Sequence, residues 1–224
     1  MKLKKIASLA LAGVMAVSML AGCSDKGNGG DNNNGGNTVV EPSTSSIVTA
    51  FNDGQDEGNK VKVTFSSDAS LNAALQKAVT EAGSFATVGQ IKDLIDGLQG
   101  KVYDELKDFA TASTLDDDIK DKQTKTVMGV MSLPSSTYWT ETDAVNNAAR
   151  MMNESIAKGF VDGKTTYTLD ADNAQKTDKE GETYYTFSYT GTVSMVSAQQ
   201  ESGSTAYYVV FTITQTATKN TVKA

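Results

Sequence analysis

Histidine is missing from all 224 residues, and cysteine and tryptophan each occur once. Without histidine the chain has no Ser-His-Asp or Cys-His hydrolytic centre, no HExxH zinc site and no imidazole ligand for a metal. One cysteine cannot close an intramolecular disulfide, so folding must rest on a core. The chain also lacks a G-x-S-x-G elbow, a phosphate-binding GxxxxGK[ST] loop and a GxGxxG turn, which leaves nucleotide chemistry without a foothold, and no cofactor is expected. Two enzyme types survive, a Ser-Lys nucleophile and a carboxylate pair. No S-x-x-K stands at a helix start, and the reading favours a protein without catalytic activity.

A long apolar run is absent as well. Residues 1–5, MKLKK, carry three lysines, and the 14 that follow, IASLALAGVMAVSM, carry no charge. That run is shorter than the roughly 20 residues of a spanning helix, and it reads as a secretory signal that is removed. It ends in Leu20-Ala21-Gly22-Cys23, which contains the only cysteine. These residues resemble the lipobox of bacterial lipoprotein precursors. The resemblance covers residues 1–23. It implies a diacylglyceryl group on the Cys23 sulfur, cleavage between Gly22 and Cys23, and a protein anchored on the outer face of the cytoplasmic membrane. Two acyl chains are useful because a single one gives only marginal, reversible membrane binding. The lysine-rich start and the linker look like those of Gram-positive lipoproteins.

Residues 24–45 follow as a Gly/Asn-rich linker of 22 residues, too poor in apolar surface to offset its ordering entropy. Its typical reach is on the order of 26 Å. Residues 46–224 then suit a single domain. Three of the 20 basic residues and none of the 27 acidic ones precede Cys23, so the chain from Cys23 onward carries a net charge of −10. Such a chain is a poor partner for nucleic acid or for an anionic lipid surface.

Along this domain, Val61, Val63 and Phe65 alternate with polar residues as in a half-buried strand. Leu71, Ala74, Leu75, Ala78 and Val79 recur at helical spacing up to Gly83. Thr87 and Gln90 form a capping-box pair ahead of Ile91, Leu94, Ile95 and Leu98. Val102, Leu106 and Phe109 suggest a third helix. TVMGVMSL is apolar on both faces and reads as a central strand. Residues 141–158 form a helix with Val145, Ala148, Ala149, Met152 and Ile156 as its seam, and Met151 beside it reads as core filler too. The remaining strands end in a long C-terminal hairpin. Equal parity of facing residues keeps both apolar faces on one side. A three-residue loop at Ser202-Gly203-Ser204 would then set Met195 against Phe211, Val193 against Ile213 and Thr192 against Thr214. The expectation is an α+β domain: an antiparallel sheet with one face covered by about four helices.

Three surfaces invite a functional reading. Tyr138 and Trp139 lie among hydroxyl side chains, where an indole could stack on a sugar or instead act as a hydrophobic staple for the following helix. Of three acidic stretches, Asp170, Asp172 and Asp178 come nearest to a calcium loop, but Ala174 and Gln175 break the EF-hand pattern. Thr190, Thr192, Thr212, Thr214 and Thr216, with Tyr184 and Tyr208, form the even face of the hairpin, either a solvated surface or a platform for an extended partner. Together these features describe a membrane-tethered binding module for a cell-wall glycan or peptide. The alternatives are a structural or protein-interaction subunit and a carboxylate-dependent enzyme with two acids in one cleft. Replacing Cys23 by serine should move the protein from the membrane fraction to the soluble fraction and abolish labelling by radioactive palmitate. A variant still membrane-bound and labelled would contradict the tether.

Overall fold

The computed structural model describes residues 40–42, 46–59, 61–83, 86–104, 122–133, 140–157, 166–169, 183–199 and 203–221. In chain order their elements are β1 (Val40–Pro42), α1 (Ser46–Asp53), β2 (Thr64–Ser66), α2 (Ala69–Ala82), α3 (Val88–Gln99), β3 (Lys122–Leu133), α4 (Glu141–Ala157), β4 (Thr166–Leu169), β5 (Thr183–Gln199) and β6 (Thr205–Thr221). This is an α+β fold with the long C-terminal hairpin at the centre of its sheet. β5 and β6 are each 17 residues long, rich in Thr, Val, Tyr and Phe, and free of proline and acid, which favours extended pairing over their whole length.

The strand path is β1-β5-β6-β3, with β2 and β4 also paired to β5. The outer edge of β5 is shared in turn by β4, by β2 and by β1, and of these only β2 runs parallel to it. Val40–Pro42, which composition assigns to the end of the linker, thus pairs with residues 196–198. Its proline lies on an outer strand, where a missing N–H is tolerated.

Several expectations are corrected by this arrangement. β3 pairs with β6 alone among the described strands, so it ends the path instead of lying within it. Its apolar character on both faces has another cause: helices pack on both sides of the sheet. α1 and α4 lie with the odd-numbered residues of β5 and β6, whereas α2 and α3 lie with even-numbered ones such as Val196, Tyr208 and Val210. The four helices therefore divide between two faces. The hairpin keeps the parity inferred from sequence but is shifted by two residues, with Met195 against Val209, Val193 against Phe211 and Thr192 against Thr212. Gly203 has positive φ, as a tight turn requires, but five residues separate the last paired positions, Gln199 and Thr205. Cross-strand partners that loop length cannot reveal go with this register. The Gln215 amide donates to the Tyr189 hydroxyl at 2.9 Å, and the Thr192 and Thr212 hydroxyls stand 2.7 Å apart.

Local chemistry sets the helix ends. Asp68 caps α2 by accepting from the N–H groups of Ser70 and Leu71. The Leu71 hydrogen bond is the chief cause that holds its carboxyl below the ordinary value, against a smaller opposing effect of burial. A depressed folded-state value means the cap stabilises the fold above about pH 4 and loses that contribution as pH falls through the lowered value. The Thr87 and Gln90 capping box is formed, and Gly100 closes α3 in the left-handed region. Beyond it residues 101–103 belong to no helix, Val102 is 83% exposed, and Asp104 bridges Val127. The expected third helix therefore does not begin at Val102, and Leu106 and Phe109 lie outside the described residues. Leu98, expected in the apolar stripe of α3, is 36% exposed.

The larger core is organised by three phenylalanines. Phe51 of α1, Phe65 of β2 and Phe211 of β6 meet edge to face, with centroids 5.1, 5.8 and 6.5 Å apart. Two glycines make room for them. A Cβ on Gly129 of β3 would stand 2.4 Å from Phe211 Cζ, and one on Gly191 of β5 would stand 2.5 Å from Phe65 Cε1. Gly129→Ala and Gly191→Ala should each destabilise the protein by about 1–3 kcal/mol, the usual cost of overpacking a core. Urea unfolding checks this, and a change below about 0.5 kcal/mol in both would contradict the packing.

Candidate functional site

Most residues singled out from sequence fall outside the described set: Gly22, Cys23, Tyr138, Trp139, Asp170, Asp172 and Asp178. The described structure offers two other surfaces, a groove between α1 and α4 and the open part of the even sheet face.

The groove follows from small side chains on two packed helices. Ala50 and Gly54 meet Val145 and Ala149, and a Cβ on Gly54 would come within 3.3 Å of that of Ala149 and 2.7 Å of the Ala50 carbonyl. The space above this floor is about 920 Å³. One end is anchored by Asn153, which is 8% exposed in the same apolar stripe as Ala149, Met152 and Ile156. Its side-chain oxygen accepts from the Asp56 N–H at 3.0 Å and from the Asn59 amide at 2.8 Å, and its amide donates to the Asp56 carboxylate at 3.0 Å. A buried polar group kept this well bonded holds the loop after α1 against α4.

The last turn of α1 and the loop after it close an edge of the sheet. Asn52 donates to the Phe65 carbonyl and accepts from the Phe65 N–H, at 3.0 and 2.8 Å. Gln55 does the same for Val63, at 2.7 and 2.9 Å. Two side-chain amides thus take the place of a neighbouring strand beside β2. Lys62 donates to the Gln55 and Asp56 carbonyls just past the end of α1.

At the other end of the groove Thr140 and Asp143 cap α4 reciprocally. The Thr140 N–H is the main cause that lowers the Asp143 carboxyl below its usual value. Burial first, then the charges of Glu141 and Asp143, push the Tyr207 phenol up. The lining combines the carboxylates of Asp53, Asp56 and Glu141 with the hydroxyls of Ser46, Thr49 and Thr142 and the amide of Asn146. Arg150, the only cation of the lining, is engaged by Glu154 and Asn147. Hydrogen-bond acceptors and negative charge therefore dominate, a setting that suits a ligand rich in donors. Among the described residues no three His, Cys, Asp or Glu side chains gather as metal ligands.

Sequence reading did not find this groove, although it had one signal. Asn153 is a polar residue at an apolar-stripe position of α4, four residues after Ala149 and three before Ile156. Met152 is buried in the core as expected, but Met151 points outward and is 36% exposed, with its sulfur near the Asn147 amide.

The even face of the sheet divides into two parts. Near the hairpin turn it is covered by α2 and α3, and Tyr208 there is buried instead of solvated. Burial raises its phenol, opposed by hydrogen bonds to the Ala86 backbone and to Ser132. Farther along, hydroxyls take over. Thr64, Thr190, Thr214 and Thr126 line up across β2, β5, β6 and β3. On one side of this row lie Ser66, Thr192 and Thr212, and on the other Ser188, Thr216 and Thr124. The Thr126 and Thr214 hydroxyls are bonded at 2.9 Å. Thr64, Ser66, Ser188, Thr190 and Thr124 are exposed.

These features define an α+β protein with a concave acidic groove and a flat hydroxyl face. Compared with protein-family models, curated proteins and solved structures, the chain matches none.

Proposed function

We propose that this chain is a lipid-anchored extracytoplasmic binding module, held on the outer face of the bacterial cytoplasmic membrane by Cys23, that captures a cell-envelope peptide without transforming it. The leader and the lipobox resemblance support the anchor. Among the described residues no helix is long and apolar enough to cross a membrane. The groove between α1 and α4 carries the binding reading. Its volume of about 920 Å³ suits a peptide side chain or a short segment, and its acceptors suit amino groups. A glycan would use the same hydroxyls and amides, but the carboxylates of Asp53 and Glu141 favour the amine-bearing ligand.

A protein-interaction role is the second reading, favoured by β3. Among the described residues only Asp104 pairs with the outer edge of this 12-residue strand, where the Met128 N–H donates to the Asp104 carbonyl at 3.1 Å. An edge of this kind is a template for another chain's strand.

Titrating the protein with cell-wall peptides that carry free amino groups, and with the same peptides acetylated, separates the ligand classes. The free amines should raise the melting temperature, by about 2.7 kcal/mol of added stability at 100 times the dissociation constant. The double variant Asp53→Asn, Glu141→Gln should bind about tenfold or more weakly, with its own melting temperature within a few degrees of the parent. Equal binding of the acetylated peptides, or unchanged affinity in the double variant, would refute the assignment.

A further inference from the structure

We infer that the hydroxyl face of the sheet is a second binding surface, separate from the groove, and that it takes an uncharged, extended polysaccharide. The first support is charge segregation. Of the 27 acidic residues only Glu41 falls within one of the six described strands, and β2, β4 and β5 carry no charge at all. A chain that is strongly acidic elsewhere thus presents one region of sheet whose described residues carry no carboxylate. An anionic polymer is still repelled by the molecule as a whole, and a cationic one finds no carboxylate on the described strand residues of this face.

The second support is the chemistry of the hydroxyls. Thr192 and Thr212 form one bonded pair, in which Thr212 is buried. In the more open pair, Thr126 with Thr214, one hydroxyl donates and the other accepts. The pair keeps one proton to donate and several lone pairs to accept, because a hydroxyl has one donor and two acceptor sites. Such a surface is matched by a ligand that both donates and accepts, as a sugar hydroxyl does. Threonine is stiff at χ1, so the array loses little rotamer freedom when a ligand settles on it, and its methyl groups offer apolar contact to the C–H faces of sugar rings.

Size and shape decide against another protein as the occupant. Neighbouring strands are about 4.8 Å apart and alternate residues about 6.8 Å apart. The ten residues of the three rows therefore cover about 330 Å², less than half of the roughly 800 Å² per partner in a standard protein interface. The strand spacing is close to the length of one sugar unit, so a chain lying across the strands could meet a hydroxyl at each step of the row Thr64, Thr190, Thr214, Thr126.

The test uses the full chain in detergent, mixed with insoluble cellulose, chitin and curdlan, and with anionic polygalacturonate as a comparison. At least one neutral polymer should retain the protein, equally at low and high salt. The isosteric variant Thr64→Val, Thr190→Val, altered at two exposed positions, should reduce retention about tenfold while keeping the parent circular dichroism spectrum. The groove variant Asp53→Asn, Glu141→Gln should be retained like the parent, which keeps this proposal distinct from the peptide site. Retention by none of the neutral polymers, retention that disappears with salt, or retention unaffected by the two valines would overturn the inference.

Discussion

Three rings over two glycines hold α1 and four strands of the sheet in one arrangement. Phe51, Phe65 and Phe211 come from a helix, a short outer strand and a central strand, and the glycines that receive them come from two further strands. Five elements therefore meet at one contact. Edge-to-face pairs add about 0.5–1.5 kcal/mol beyond the area they bury, and the absence of Cβ atoms at Gly129 and Gly191 lets the rings approach the strands directly. The hairpin register depends on the same contact, because a shift of two residues would carry Phe211 away from Gly129 or Gly191 away from Phe65. With no disulfide available, this steric lock does for the chain what a covalent link does in many small exported domains.

Around that lock the molecule separates its chemistries. Strands almost free of acid build the sheet: Glu41 is the one acidic residue in the described strands, and the charges on β3 and β6 are lysines. Asn52 and Gln55 complete the edge of β2 with side-chain amides, which lets a three-residue strand lie parallel beside β5 without exposing its backbone to another chain. Asn153 fastens the loop that carries Asp56, and the groove is formed above this anchored loop. Both candidate surfaces thus sit on hydrogen-bonded helices and strands.

Much of this was legible in the sequence, wherever the signal was local or periodic. The stripes of α2 and α4, the capping box at Thr87 and Gln90, and the even parity of the hairpin all follow from spacing along a single segment. Properties set by distant partners were not legible. TVMGVMSL reads as central because both its faces are apolar, but periodicity cannot tell cover by two layers of helix from strands on either side. The hairpin shift of two residues leaves every side chain on its proper face, so the hydrophobic pattern gives no warning of it. Val102 looked like the start of a helical stripe but belongs to no helix, and two residues later Asp104 bridges Val127, 23 positions away. The groove was hidden for the same reason, since Asp53 and Glu141 are unrelated along the chain and meet only because small residues let α1 and α4 pack closely.

The lock itself is tested most directly by measuring the cost of Gly129→Ala twice, once in the parent and once in a Phe211→Leu background. The three heavy atoms nearest to a Cβ at this position all belong to the Phe211 ring. The account predicts that the penalty disappears when the ring is gone. Alanine should then equal or exceed glycine, which loses about 0.5–1 kcal/mol more backbone entropy in a strand. An unchanged penalty in the leucine background would mean that the ring and the glycine are not coupled, and that something other than this contact fixes the register of the sheet.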